Sequence, residues 1–164
     1  MNDRIAVYRY RWVVLAVFMF ITTAVEIQWL THAPVVRAAE AFYAGQFDPS
    51  SVINIDALAM VYMLLFLVFC IPASAIIDTY GIRVGLGIGS AIAGVSAMVK
   101  GLFPASFAIV LGAQVGLSIA QPFILNAVTA VSVRWFPIRE RGLAAGLASL
   151  AQYIGIIAAM IATP

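Results

Sequence analysis

Charged side chains are scarce in this 164-residue sequence: they make up 10% of it, whereas hydrophobic residues make up 64%. The mean hydropathy is +1.06, far above that of an ordinary globular domain. The net charge is only +2, and the basic residues are scattered rather than arranged in a stripe with aromatic side chains. That distribution argues against nucleic-acid binding. The composition predicts an integral membrane protein whose main partner is the lipid bilayer.

Cysteine and histidine are almost absent, with one residue of each, Cys70 and His32. A lone cysteine excludes a disulfide framework within the chain, and these two residues cannot make a metal cluster of ordinary spacing. No Ser/His/Asp or Cys/His constellation is available, because His32 is expected at the outer membrane surface. The sequence therefore predicts a protein that is not an enzyme and that holds neither a metal nor a cofactor.

Long uncharged runs are what the sequence has instead. Residues 60–77 carry no charge, and about 18 such residues suffice for a membrane-spanning helix. The polar turn at residues 78–83 cannot lie in lipid, so the runs on either side of it form an antiparallel hairpin. Pro122 lies within the fourth run and predicts a kink. The predicted fold is all-α and multi-pass, with five helices at about residues 12–36, 56–77, 84–103, 107–133 and 142–164.

Basic residues favour one side of the predicted membrane. Seven of the nine lysines and arginines fall on the side of the amino terminus, and only Arg37 and Lys100 fall on the other. Because cytoplasmic loops are enriched in Lys and Arg, we predict a cytoplasmic amino terminus and a location in the cell membrane. His32 and Lys100 are expected at the outer surface. The seven basic residues on the amino-terminal side are Arg4, Arg9, Arg11, Arg83, Arg134, Arg139 and Arg141.

Two loops resemble signatures of a known transporter fold. Asp78-Thr79-Tyr80-Gly81-Ile82-Arg83 resembles the Asp-x-x-Gly-x-Arg loop of the major facilitator superfamily, although the glycine usual four residues earlier is Ser74 and the basic residue usual after the Asp is Thr79. Residues 134–142 resemble the Arg-Trp-Phe-Pro-x-x-x-Arg-Gly link between helices four and five of that fold. The resemblance implies a secondary transporter that works by alternating access between two six-helix halves.

That superfamily resemblance has two further implications. Residues 1–164 would be a partial amino-terminal bundle that lacks its sixth helix, and the carboxyl-terminal half would be a missing partner. The loop would contribute to a cytoplasmic gate, in which the aspartate accepts bonds from basic residues and from a helix amino terminus. The gate residues that the resemblance implies are Asp78, Gly81 and Arg83, with Arg134 and Arg141 as candidate cytoplasmic partners.

Short stretches inside the helices resemble the feline leukaemia virus subgroup C receptor family. They are Gln28-Trp29, Ile55-Asp56 with residues 60–63, Asp78-Thr79, and residues 120–121 with 123–125. The resemblance implies a small organic substrate such as choline, ethanolamine or haem, with substrate contacts at Trp29 and Gln121. Glu26 stands where that family has a neutral residue, which implies a different substrate or a different coupling ion.

Glu26 is also a candidate on physical grounds, because a carboxylate inside a span normally faces a cavity or a partner. Trp29 follows three residues later, about 60° around a helix, so the two side chains share a face. A carboxylate beside an indole suits a small cation, since a cation–π contact contributes about 0.5–2 kcal/mol. A proton-coupling role stays open, as does a hydrated Glu26 at the helix end with Trp29 as an interfacial anchor.

Polar side chains also follow one face of the fourth predicted helix, at Gln114, Ser118 and Gln121. They could contact a substrate or bond neighbouring helices, and such interhelical bonds contribute about 0.6 kcal/mol on average. For Gln114 the interhelical interpretation is preferred. The candidate substrate-binding residues are Glu26, Gln28, Trp29, Gln114 and Gln121.

A second function class also fits the sequence. Small residues lie four apart in the third helix, at Gly85 and Gly89 and at Ser90 and Gly94, and such spacing allows close helix approach. The chain could therefore be a membrane interaction or assembly module, with the small-residue faces of its third and fifth helices binding a partner and with no transport activity of its own.

Overall fold

The computed structural model describes residues 9–47 and 53–163. Arg4, counted above on the amino-terminal side, and the last residue of the fifth predicted helix lie outside the described residues. The described part of the chain is helical, with no strand in it. Its helices are α1 (Arg11–Leu30), α2 (Val36–Phe42), α3 (Ala57–Tyr80), α4 (Ile82–Leu102), α5 (Phe107–Leu125), α6 (Ala127–Trp135) and α7 (Ile138–Ala162).

Five segments are long and apolar enough to cross a membrane: α1, α3, α4, α5 with α6, and α7. Each has at least 20 residues and a mean hydropathy between 1.6 and 2.5 over its best window. At 1.5 Å per residue, about 20 residues match the thickness of the hydrocarbon core. The prediction of an all-α, multi-pass membrane protein with five spans is confirmed.

The first span ends at Leu30, so the predicted end at residue 36 is wrong. Pro34 explains the early stop, because proline has no N–H to donate and disfavours helix at the residue before it. A turn follows, in which Ala33 N donates to Leu30 O at 3.0 Å and Val35 N to His32 O at 3.3 Å. The short helix α2 then begins at Val36.

The predicted loop at residues 134–141 is mostly helical, and the predicted start of the fifth helix at residue 142 is wrong. Arg134 lies in the last turn of α6, and α7 begins at Ile138. Pro137 is the N-cap of α7, a position next to the first turn, where its missing N–H costs no intrahelical bond. Glu140 lies in that first turn, where a carboxylate complements the helix dipole.

The fourth span is interrupted at Asn126, four residues beyond the predicted kink at Pro122, which lies within α5. Asn126 bonds to α3: its Nδ2 donates to Cys70 O at 2.9 Å and to Ser74 Oγ at 2.9 Å. The asparagine side chain therefore ties the junction between α5 and α6 to the second span.

Glycines allow the closest helix approaches. A Cβ on Gly89 of α4 would lie 2.7 Å from Phe123 Cβ of α5, so this predicted small-residue contact exists. A Cβ on Gly155 of α7 would lie 2.7 Å from both Thr23 O and Glu26 Cβ of α1. Since α7 packs directly on α1 here, its side chains reach the middle of the first span.

The two ends of the bundle differ in charge. At one end Arg11 Nη2 pairs with Glu140 Oε2 at 2.9 Å, and Trp12 meets Phe136 edge-on at 5.2 Å between ring centroids. At the other end Phe107 N donates to Gln46 Oε1 at 2.8 Å. The antiparallel order of the spans thus gathers arginines from the amino terminus and from two inter-helix junctions, α3–α4 and α6–α7, at one end, as the charge count predicts.

Candidate functional site

A cavity of about 260 Å³ opens between α1, α3, α5 and α7, and Glu26 and Trp29 of its wall lie in the carboxyl-terminal part of α1. Its wall joins polar side chains from three helices to an apolar surface contributed mainly by α3 and α7. The residues that line it are Glu26, Trp29, Tyr62, Met63, Phe66, Gln121, Leu125, Gln152 and Ile156.

The carboxylate of Glu26 is held by two amides. Gln121 Nε2 of α5 donates to Glu26 Oε1 at 2.6 Å, and Gln152 Nε2 of α7 donates to the same oxygen at 3.4 Å. Glu26 is only 2% exposed, and burying a carboxylate is costly unless it is bonded or paired. The amides satisfy one carboxylate oxygen, and no described residue forms an ion pair with Glu26.

Two aromatic rings stack beside this carboxylate. The ring centroids of Trp29 and Tyr62 are 4.2 Å apart, and their planes differ by 17°. Trp29 Nε1, Tyr62 Oη and Gln121 Oε1 are buried atoms that have no hydrogen-bond partner among the described residues. Buried polar atoms of this kind are rare, and several around one cavity mark a place for a polar ligand.

Three of the five predicted substrate-binding residues meet at this cavity: Glu26, Trp29 and Gln121. Gln28 instead lines a groove between α1 and α4. Gln114 is fully buried and does not line the cavity: its Nε2 donates to Trp29 O at 3.2 Å, and its Oε1 accepts from Lys100 Nζ at 3.2 Å. These contacts are hydrogen bonds between helices, the role that the sequence analysis prefers for Gln114 over a substrate contact.

Sequence reasoning missed Tyr62 and Gln152 as wall residues. Gln152 is an amide within the uncharged fifth run, and a polar side chain inside a span is itself an indication of a cavity or of an interhelical bond. Tyr62 lies in a stretch quoted only for its family resemblance. The periodicity of one helix cannot show which residues of two helices meet, so their pairing with Glu26 and Trp29 needed the structure.

Lys100 lies in the last turn of α4, where only 8% of it is exposed. Its Nζ donates to Gln28 O at 2.8 Å and to Gln114 Oε1 at 3.2 Å. The last carbonyls of a helix lack intrahelical donors and favour a cation, so Lys100 and Gln114 together cap the carboxyl-terminal end of α1 next to Trp29. His32 lies in the turn beyond, and its burial, with a smaller effect of the Lys100 charge, lowers its pKa to about 4.

The predicted gate residues lie at the arginine-rich end. Gly81 has a φ of 88°, which favours glycine, and joins α3 to α4. Arg83 and Arg134 line a cavity of about 480 Å³ there. Asp78 forms no ion pair with any described residue, and Arg141 Nε donates to Phe136 O at 3.1 Å instead. The pairing of Asp78 with Arg134 or Arg141 is therefore not found within the described residues.

The chain forms a bundle of antiparallel spans with an Asp-x-x-Gly-x-Arg turn and a cavity between four of its helices. A family model matches residues 12–164. The chain belongs to the Major Facilitator Superfamily, a family of membrane transporters. Its membership was implied by the two loop sequences and is confirmed.

Individual relatives in this superfamily match nearly the whole of this chain. The chain is 32% identical to solute carrier family 49 member A3 of Danio rerio, over 98% of this chain and 34% of that protein. It is 29% identical to the human choline/ethanolamine transporter FLVCR2, over 98% of this chain and 30% of that protein. An uncharacterized MFS-type transporter of Caenorhabditis elegans is 28% identical over 96% of this chain and 26% of its own length. The chain thus spans about a third or less of the relatives it matches.

Proposed function

We propose that this chain forms the amino-terminal part of a secondary transporter for a small organic cation such as choline or ethanolamine. The observation that carries the proposal is the Glu26 carboxylate, held by amides from two other helices beside a Trp29–Tyr62 stack. A buried negative charge attracts a cation, and an aromatic face adds a cation–π contact. The names of the FLVCR relatives support this substrate class. The superfamily assignment supports transport rather than catalysis.

The same charge argues against haem as the substrate. Haem carries two propionate groups, which a buried carboxylate without a cationic partner would repel.

Transport requires more than this chain in our proposal. Alternating access places the substrate near mid-membrane between two halves, so a carboxyl-terminal half would supply the other wall. The gate at Asp78, Gly81 and Arg83 would meet that half on the cytoplasmic side, with the amino terminus also cytoplasmic and the protein in the cell membrane. Residues 1–164 alone are then expected not to transport.

A second candidate function is a membrane assembly module, and one observation favours it. The groove between α1 and α4 is lined by small side chains of α4, Ser90, Ala93, Gly94 and Ala97, with Ala24 of α1 opposite. Small residues allow another helix to approach closely. In the fifth span, Ala144, Ala148, Ala151 and Gly155 are buried within the bundle, whereas Gly142 and Gly146, four residues apart, are exposed.

The transport proposal is tested by uptake of labelled choline and ethanolamine into proteoliposomes. The protein is taken from its natural locus, with any sequence that follows residue 164 retained, and is compared with its Glu26→Gln and Glu40→Gln variants. Glu40 is exposed on α2, so it controls for the loss of one negative charge. We expect saturable uptake that Glu26→Gln reduces at least tenfold and Glu40→Gln leaves unchanged. Equal uptake by all three would remove Glu26 from the site, and no uptake of either amine would refute the proposed substrate.

A further inference from the structure

We propose that this cavity selects an ammonium group that keeps at least one N–H over a fully alkylated one, and that Glu26 and Gln121 make the distinction. The inference rests on the proposed function, because it specifies the cation that the same site would carry. It goes beyond a general affinity for choline and ethanolamine, which differ in this property.

The first step is the direction of the Gln121 amide. Its Nε2 donates to Glu26 Oε1 at 2.6 Å. For an ionised Glu26, the opposite orientation would place the amide oxygen against a carboxylate oxygen, two acceptors without a hydrogen between them, so an ionised carboxylate requires the observed orientation. Gln121 Oε1 must then point away from the carboxylate, and it has no partner among the described residues.

The second step is the distribution of donors on Glu26. Both amide donors, Gln121 and Gln152, converge on Oε1, and no described residue donates to Oε2. A carboxylate oxygen can accept more than one hydrogen bond. The site thus presents an unpaired amide oxygen and an unpaired carboxylate oxygen on neighbouring side chains, and both are acceptors.

The third step is what a ligand must supply. A protonated primary, secondary or tertiary amine donates through its N–H groups to such acceptors, whereas a quaternary ammonium has no donor. A buried acceptor left unpaired weakens binding by about five- to hundredfold. Methyl groups also hold the nitrogen of a quaternary ammonium farther from the carboxylate, which weakens the Coulomb attraction.

The aromatic residues do not offset this loss. Trp29 and Tyr62 are stacked face to face at 4.2 Å, so a cation can approach at most one outer face of each ring instead of being enclosed between them. Their unpaired atoms, Trp29 Nε1 and Tyr62 Oη, are polar. Both can donate to a hydroxyl oxygen, so the arrangement favours an amino alcohol with N–H groups at one end.

The experiment uses a series in which only the number of N–H groups changes: ethanolamine, its N-methyl and N,N-dimethyl derivatives, and choline. Each competes against labelled ethanolamine for uptake by the reconstituted protein with its natural following sequence. We expect ethanolamine and its N-methyl derivative, which can pair both acceptors, to compete with similar affinity. The N,N-dimethyl derivative, with a single N–H, should compete more weakly than these two, and choline should compete about tenfold or more weakly than ethanolamine and less well than the dimethyl compound. In Glu26→Gln the difference in affinity between ethanolamine and choline should become smaller, whereas in Glu40→Gln it should be unchanged.

The outcomes separate this inference from the proposal on which it rests. Choline that competes as well as the dimethyl compound, or better, would overturn the selectivity and leave cation transport standing. A complete lack of uptake or competition by the whole series would overturn both. The comparison within the unaltered protein decides the question even if a variant fails to fold.

Discussion

Substituting Gly155 tests whether the cavity depends on close contact between α1 and α7. In Gly155→Ala the new Cβ would lie 2.7 Å from Thr23 O and 2.7 Å from Glu26 Cβ. Thr23 O belongs to the backbone, so the contact is relieved only if the two helices separate. Overpacking of this kind costs about 1–3 kcal/mol, set against a gain of about 1 kcal/mol from replacing a helical glycine by alanine.

The matched control is Gly146→Ala in the same helix. A Cβ at Gly146 would meet no atom within 4 Å, so only the gain in helix propensity applies there. We expect Gly155→Ala to be less stable than Gly146→Ala by about 1–3 kcal/mol. The assay is thermal unfolding in detergent, followed by circular dichroism. Equal unfolding temperatures for the two variants would refute the close packing of α7 on α1.

Two further predictions concern the carboxyl-terminal end of α1. Lys100→Met leaves Gln28 O and Gln114 Oε1 without their donor and should lower the unfolding free energy by about 1–3 kcal/mol, whereas Arg37→Met on the exposed side of α2 should change it by less than about 0.5 kcal/mol. Equal effects in the same unfolding assay would mean that Lys100 does not cap the helix. His32, whose pKa is lowered to about 4, takes up a proton less readily when folded than when unfolded, so stability should fall as pH drops from about 6.5 to 4. Unfolding temperatures across that range should fall less in His32→Gln, and identical profiles would contradict the burial of the imidazole.

The spans were predictable because their cause is local. A run of about 20 apolar residues has one low-energy arrangement in a bilayer, whatever its neighbours are. The ends of the helices were less predictable: Pro34 stops α1 early, and Pro137 allows α7 to start early. In both places a proline decides the boundary more strongly than hydropathy does.

The site was predictable only in part, for a related reason. Glu26 and Trp29 lie on the same helix, so their common face follows from the helical period. Gln152 and Lys100 reach α1 from α7 and α4, and no pattern within a single span shows which residues of one helix pack against which residues of another. Gly155 helps to determine this pairing, because it allows α7 to touch α1 near Glu26. That contact is visible only once the helices are packed.

The central claim is that a small cation binds against the Glu26 carboxylate, and protection from chemical modification tests it most directly. A hydrophobic carbodiimide such as dicyclohexylcarbodiimide modifies carboxyl groups in apolar surroundings, and mass spectrometry locates the adduct. We expect modification of Glu26 in the protein with its natural following sequence, slowed by N,N-dimethylethanolamine at saturating concentration and unaffected by glycerol, which is uncharged. The tertiary amine is chosen because it cannot form an amide with the activated carboxyl group. Modification at an unchanged rate with N,N-dimethylethanolamine, or equal protection by glycerol, would contradict a cation site at Glu26.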